Sequence, residues 1–141
     1  MIRELRKADI DKVAEIWLDT NIKVHDFIPA QYWESNFESV KELLPQATVY
    51  VYEDDQGIQG FIGLNDEYIE GIFVSDGMQS QGIGRLLLNY AKTKRNELRL
   101  NVYRKNTRAI AFYQREGFEI LCSGIDEATG EKDHVIEWRR K

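Results

Sequence analysis

The spacing of apolar residues changes several times along the chain, and each change marks an element. Ile2 and Leu5, set among polar neighbours, predict a short first strand ending near Lys7. Ile10, Val13, Ile16 and Trp17 then recur at helical intervals and predict a helix from Asp9, its N-cap, to about Ile22. Val24 to Pro29 breaks the pattern, and Trp33, Phe37, Val40 and Leu44 restore it in a second helical segment ended by Pro45. Alternation takes over from Ala47 to Glu53. It resumes from Ile58 to Leu64 past the turn Asp54-Asp55-Gln56-Gly57, which is the pattern of a β-hairpin. Tyr68 to Val74 reads as the next strand, with Gly71 marking a bulge inside it. From Gly82 to about Arg95 the residues Ile83, Leu86, Leu87, Tyr90 and Ala91 form one helical stripe. A strand from Leu98 to Tyr103 follows, then a short helix that Asn106 or Thr107 caps and Gly117 ends. Phe118 to Ser123 and His134 to Trp138 close the chain as two strands around a turn at residues 126–132.

This order predicts a single α/β domain over residues 1–141. Its sheet is mixed and mostly antiparallel, of about six or seven strands with about four helices. One parallel crossover runs through the Gly82 helix. A content of 43% hydrophobic and 30% charged residues fits a globular domain. The chain holds no apolar run of about 18 residues, and its first residues are charged, so it reads without a membrane span or signal peptide and as cytoplasmic. Cys122 is the only cysteine, expected as a buried strand thiol, which leaves no internal disulfide and no metal-ligand cluster.

The net charge of −5 argues against nucleic acid as a partner, and the distribution of charge says more than the sum. Residues 42–84 carry acids only: Glu42, Glu53, Asp54, Asp55, Asp66, Glu67, Glu70 and Asp76. Residues 85–115 carry a run of bases from Arg85 to Arg115 and a single acid, Glu97. The acidic block favours a partner or substrate that is cationic in solution.

Between the two blocks lies Gln79-Ser80-Gln81-Gly82-Ile83-Gly84-Arg85, placed after a strand and opening a helix. Gly82 and Gly84 let main-chain N–H groups approach an anion, and the first turn of the helix adds its free N–H groups. No Gly-Lys-Ser/Thr follows Gly84, so this is not a Walker A loop. Leu87 stands where a Rossmann fingerprint needs a small residue.

The stretch resembles the acetyl-CoA signature of the GNAT superfamily of N-acetyltransferases, Gln/Arg-x-x-Gly-x-Gly/Ala, through Gln79, Gly82 and Gly84. Residues 101–118 resemble the family's fifth strand and following helix, with an asparagine, an alanine, the pair Phe112-Tyr113 and the closing Gly117-Phe118. The resemblance covers nearly the whole chain. Gln81 departs from it, because the family often carries a base there, which weakens side-chain contact to a pyrophosphate while leaving the backbone contacts.

The resemblance implies the fold, with strands that splay at the crossover and a cofactor in the gap. It implies acetyl-CoA as co-substrate, held by Gln79, Ser80, Gln81, Gly82, Ile83, Gly84 and Arg85 and by the backbone of Ile72, Phe73 and Val74 beside Gly71. Tyr113 is then the acid for the departing thiolate, and Asn106 a contact to pantetheine or pyrophosphate. Glu70 is the base, acting through water, with Glu67 or Tyr68 as the alternatives. His25, Asp26 and Phe27 fall in the loop that overhangs the acceptor site, and with Asn101 they are assigned to the acceptor. Tyr113 as a core aromatic and Asn106 as a plain helix cap are the structural readings of the same residues.

The activity expected is transfer of an acetyl group to a primary amine of a small molecule or peptide by direct attack, in a monomer or homodimer, without a nucleic-acid or membrane partner. A CoA-binding sensor without turnover is the alternative, and an O-acyl or longer-chain transferase would use the same cleft. An acyl-enzyme route through Cys122 and His134 is set aside, because Cys122 is expected in a core strand away from the cofactor motifs.

Overall fold

The alternating segments assemble into one mixed sheet in a computed structural model that describes residues 1–79 and 81–141. Its strands are β1 (Ile2–Glu4), β2 (Thr48–Asp54), β3 (Gly57–Asn65), β4 (Tyr68–Val74), β5 (Glu97–Tyr103), β6 (Glu119–Ile125) and β7 (Lys132–Arg139), in the order β1-β2-β3-β4-β5-β7-β6. The helices are α1 (Ile10–Val24), α2 (Ala30–Ser35), α3 (Phe37–Leu43), α4 (Ile83–Lys94) and α5 (Thr107–Arg115). The neighbouring strands pair antiparallel except β4 and β5, which the α4 crossover makes parallel.

That parallel pair is where the fold opens. β4 and β5 are matched at one position only, Tyr68 opposite Arg99, where the Arg99 N–H bonds the Glu67 carbonyl at 2.9 Å. Past it the strands part. In the β3–β4 ladder Gly63 faces Gly71 and Leu64 faces Ile69, so Glu70 is an extra residue and the expected bulge is present. A Cβ on Gly71 would lie 2.4 Å from the Phe73 ring, so the close approach excludes any other residue there without a shift of that ring.

The two faces carry separate cores. Ile62, Leu64, Leu87, Leu88 and Leu100 pack where α4 and α5 cover the sheet, and Val13, Ile16, Val51 and Phe61 pack where α1 and α3 do. The α4 stripe is shifted from the expected one: Leu88 is fully buried, while Leu86 is 48% exposed. The anchor at Ile83 sets the phase, and Leu87, Leu88 and Ala91 rather than Leu86 lie on the face it turns inward.

Three further expectations change. The second helical segment is two helices, because Asn36 breaks it: its Nδ2 donates to the Tyr32 carbonyl at 2.7 Å and its N–H turns to Trp33 O at 3.1 Å. Cys122 is exposed, since β6 is the outermost strand and all of its residues are exposed. Asp9 does not cap α1 with its side chain. Its carboxylate instead accepts the Arg6 N–H at 2.7 Å and both terminal nitrogens of Arg3, at 2.7 and 3.1 Å.

This ion pair ties β1 to the start of α1, the helix that ends over the site. Hydrogen bonding from Arg3 holds the Asp9 carboxyl below its ordinary pKa, so the stabilisation is present above the unfolded value and is lost as pH falls through the folded one. Asp9→Asn should cost about 1.5 kcal/mol at pH 7, the low end for hydrogen bonds to a charged group, because Arg3 keeps its bond to Glu53 at 3.0 Å. Urea titrations at pH 7 and at acid pH should show the gap between variant and wild type narrowing on acidification. An unchanged gap would remove the pair from the account.

Candidate active site

Gly82 sits at φ 83° as the N-cap residue of α4, a left-handed conformation that a side chain would strain. Ile83 is buried against the sheet and seats the turn, while the Leu86 N–H reaches back to Gly82 O at 3.0 Å. The N–H groups of the first turn therefore remain for a ligand. Gln79 braces the loop by donating Nε2 to the Val74 carbonyl at 3.2 Å, and Gln81 donates to Gly77 O at 3.4 Å. Ser80 lies outside the described residues.

In front of this turn is a cavity of about 690 Å³ between the end of β4, α4 and α5. Gln79, Gly82, Ile83, Gly84 and Arg85 line it, with Val74 and Phe112. Gln81 does not. Arg85, Arg108 and Arg115 also line this cavity, against one acid, Glu116, which pairs with Arg85 at 3.5 Å. Guanidinium groups beside a helix N-terminus suit phosphate oxygens. A Cβ on Gly84 would meet only Phe112 Cζ at 3.7 Å and Val74 Cγ2 at 3.9 Å, so a side chain fits without disturbing the fold and enters the cavity. Gly84→Glu should keep its melting temperature and lose at least about tenfold in CoA affinity, roughly 1.4 kcal/mol. Calorimetry showing unchanged affinity in a folded variant would overturn this placement.

A second cavity of about 420 Å³ opens between the parted ends of β4 and β5. Glu70, Asp126 and Asp133 line it and no lysine or arginine does. Its polar groups are tied together. The Tyr68 hydroxyl donates to Asn101 Oδ1 at 2.8 Å, Asn101 Nδ2 to Asp133 Oδ2 at 3.2 Å, and the Tyr103 hydroxyl to Asp126 Oδ2 at 2.7 Å. The phenols of Tyr68 and Tyr103 are pushed above their ordinary pKa, chiefly by burial.

Six residues line both cavities: His25, Ile72, Phe73, Asn106, Ala109 and Tyr113. They form the throat between them. The β4 backbone in this throat follows from the ladder. The Ser75 N–H bonds Gln59 O at 2.8 Å, and opposite residues in an antiparallel pair alternate between bonded and unbonded. The N–H of Phe73 is thereby turned to β3, while those of Ile72 and Val74 face the gap. The Val74 carbonyl, which takes the Gln79 bond, confirms the parity. Tyr113 is 5% exposed and packs edge-on against Phe112 and Phe118, with burial raising its phenol above the ordinary value. Asn106 caps α5, its side chain accepting the Ala109 N–H at 3.2 Å.

Of the residues expected at the acceptor, His25 and Asn101 lie in the acidic cavity. Asp26 is exposed and lines neither cavity, and Phe27 packs its ring on His25 and Tyr103 beside the cavity. The His134 ring bonds Ser123 Oγ at 2.7 Å rather than Cys122. Sequence reasoning missed Trp17, Trp33, Tyr103 and Asp133. The signal available was on β5, where Leu98, Leu100 and Val102 are buried and the intervening Asn101 and Tyr103 turn to the other face.

Comparison with known proteins points to one family. Residues 45–120 match the family model of the acetyltransferase (GNAT) domain. Among curated proteins, the chain is 31% identical over 140 residues to the peptidyl-lysine N-acetyltransferase YiaC of Escherichia coli strain K12, covering 98% of this chain and 96% of that one. It is 33% identical over 120 residues to the peptidyl-lysine N-acetyltransferase YjaB of Salmonella typhimurium strain LT2, covering 84% and 83%. Among solved structures, apo-form YjaB from Escherichia coli superposes with a TM-score of 0.87 at 24% identity, over 100% of this chain and 98% of that one. PaiA N-acetyltransferase from Thermoplasma acidophilum in complex with coenzyme A superposes at 0.82 and 22% identity, over 99% and 98%. The chain belongs to the GNAT acetyltransferases, with acetyl-CoA as its co-substrate.

Proposed function

We propose that this protein acetylates the ε-amine of lysine in a peptide or protein by direct attack on acetyl-CoA. The observation that carries the reading is the pair of oppositely charged cavities meeting at one throat. The arginine-lined cavity suits the phosphates of the co-substrate, and the carboxylates of Glu70, Asp126 and Asp133 suit a cation. The relatives named as peptidyl-lysine N-acetyltransferases support the same acceptor class.

Acetyl-CoA supplies the acyl carbonyl and the thiolate leaving group. A lysine amine has an ordinary pKa of about 10.4 and arrives protonated, so its proton must be removed before nitrogen can attack. Glu70 takes that proton through water at the edge of the acidic cavity. As the new C–N bond forms, negative charge on the carbonyl oxygen is met by the N–H groups of Ile72 and Val74 that face the gap. When the C–S bond breaks, Tyr113 gives its proton to the sulfur, and the second proton, lost by the nitrogen as it becomes an amide, returns to the phenolate through water. Asn106 and the glycine turn hold the co-substrate, and Asn101, fixed by Tyr68 and Asp133, lines the path of the amine.

The test is a panel of lysine peptides, free lysine amide and polyamines with acetyl-CoA, following released thiol and acetylated product by mass spectrometry. Peptides should be preferred. Preference for a polyamine would move the acceptor to small molecules, and CoA binding without turnover of any amine would favour a sensor.

A further inference from the structure

The sequence points to His25 as an acceptor contact, and its hydrogen bonds suggest a different role. His25 Nδ1 lies 2.9 Å from Asn21 Oδ1, and His25 Nε2 lies 3.2 Å from Asn106 Nδ2. The polarity of each contact is decided by what the two asparagines do elsewhere. Asn21 donates Nδ2 to the Trp17 carbonyl at 2.9 Å, so the atom facing His25 is its carbonyl oxygen, which only accepts. Asn106 accepts the Ala109 N–H with Oδ1, so the atom facing His25 is its amide nitrogen, which only donates. His25 must therefore carry its proton on Nδ1 and offer a lone pair at Nε2. A protonated ring would point an N–H at the Asn106 amide, and burial keeps the ring neutral by lowering its pKa to about 4.

The bonds form one chain with a single direction. It runs from Ala109 N–H to Asn106, from Asn106 to His25, from His25 to Asn21, and from Asn21 to the Trp17 carbonyl. Asn21 is 3% exposed, and the His25 ring is packed on Trp33 and Tyr103 at 5.6 and 5.0 Å between centroids, so neither partner is free to turn. One end of the chain is the last part of α1, and the other is the N-cap of α5, the helix that carries Tyr113.

We propose that His25 is a positioning residue of the transferase: in its Nδ1–H form it accepts the Asn106 amide and so fixes the N-terminus of α5, and with it Tyr113, at the throat between the two cavities. This deepens the function proposed above and rests on it for the role of Tyr113. The Asn106 amide has a second N–H, and because His25 takes the first, the direction of the second is set as well.

Two measurements test the proposal. Long-range ¹H–¹⁵N correlation on the wild-type protein should show His25 as the Nδ1–H tautomer through neutral pH. An Nε2–H tautomer or a charged ring would overturn it, whatever the acceptor proves to be. The second is a cycle of His25→Phe, which keeps a stacked ring and deletes both nitrogens, with Asn106→Ala. On the most active amine, each single variant should lower kcat about tenfold, the worth of one or two hydrogen bonds in the transition state. The double variant should fall no further than the worse single, because both break the same link. The KM for the amine should scarcely move in His25→Phe. Independent, multiplicative losses, or a raised KM with unchanged kcat, would overturn the positioning role and return His25 to substrate contact.

Discussion

Tyr113→Phe should lower kcat by roughly 10² to 10⁴ while leaving CoA affinity near that of the wild type. The ring is buried between Phe112 and Phe118, and phenylalanine keeps both contacts, so the substitution removes the hydroxyl and little else. Burial raises the phenol above its ordinary pKa of about 10. At every working pH it is a donor. Set against a thiol, whose ordinary pKa is about 8.5, the raised value makes the phenol the weaker acid. Desolvation acts on both anions, however. A thiolate expelled into the same throat is also destabilised, and its proton affinity rises with that of the phenol. The mismatch narrows at the moment the C–S bond breaks, and a hydrogen bond formed then lowers the barrier without strengthening the ground state. The measurement is paired: kcat on the best acceptor and calorimetric CoA affinity for both proteins. Near-wild-type turnover with lowered thermal stability would make Tyr113 a core aromatic and nothing more.

The glycine turn that lines the arginine-rich cavity was legible in the sequence because it is contiguous. Gln79 to Arg85 joins one strand to one helix, and the need for a left-handed backbone at Gly82 is written as glycine. The crossover and the bulge at Gly71 follow from the same local signals. The acidic cavity is assembled from α1, α2, β4, β5, α5, β7 and the turns beside them, and its members come together only through packing and register. Asn101 reaches Asp133 because β7 pairs with β5, and Tyr103 reaches Asp126 because the turn before β7 folds back over it. No spacing in the sequence encodes that. Asp26 and Phe27 illustrate the converse: both belong to the overhanging loop, yet only His25 turns into the cavity. The misjudged burial has one physical source, since period shows which residues share a face and not which face is covered. Leu86 and Leu88 are both compatible with an apolar helix until Ile83 fixes its rotation, and β6 has the composition of a core strand but lies at the sheet edge.

Glu70→Gln should reduce turnover at pH 7 by roughly 10² to 10³ and shift the optimum to higher pH. The sign follows from the amine. With the base in place, the wild type removes the proton from a bound ammonium, so its rate levels near neutral pH rather than following the free amine. Without it, only amine already deprotonated can react, and with a pKa of about 10.4 that fraction is about 10⁻³ at neutral pH and grows tenfold per pH unit. The variant's rate should therefore keep climbing where the wild type has levelled. Geometry selects Glu70 among the acids of the cavity. It is the extra residue of the bulge, one position before the Gly71 close approach, so it stands on the rim where β4 leaves β5 and next to the N–H of Ile72 that faces the gap. Asp126 and Asp133 are already engaged by hydrogen bonds from Tyr103 and Asn101. Tyr68 is a weaker candidate, because burial and the charge of Glu70 both raise its phenol and an un-ionised phenol takes no proton. Tyr68→Phe should accordingly leave the pH profile in place. A Glu70→Gln enzyme with full activity and an unshifted profile, beside a Tyr68→Phe enzyme with a displaced one, would transfer the base from the bulge to the phenol.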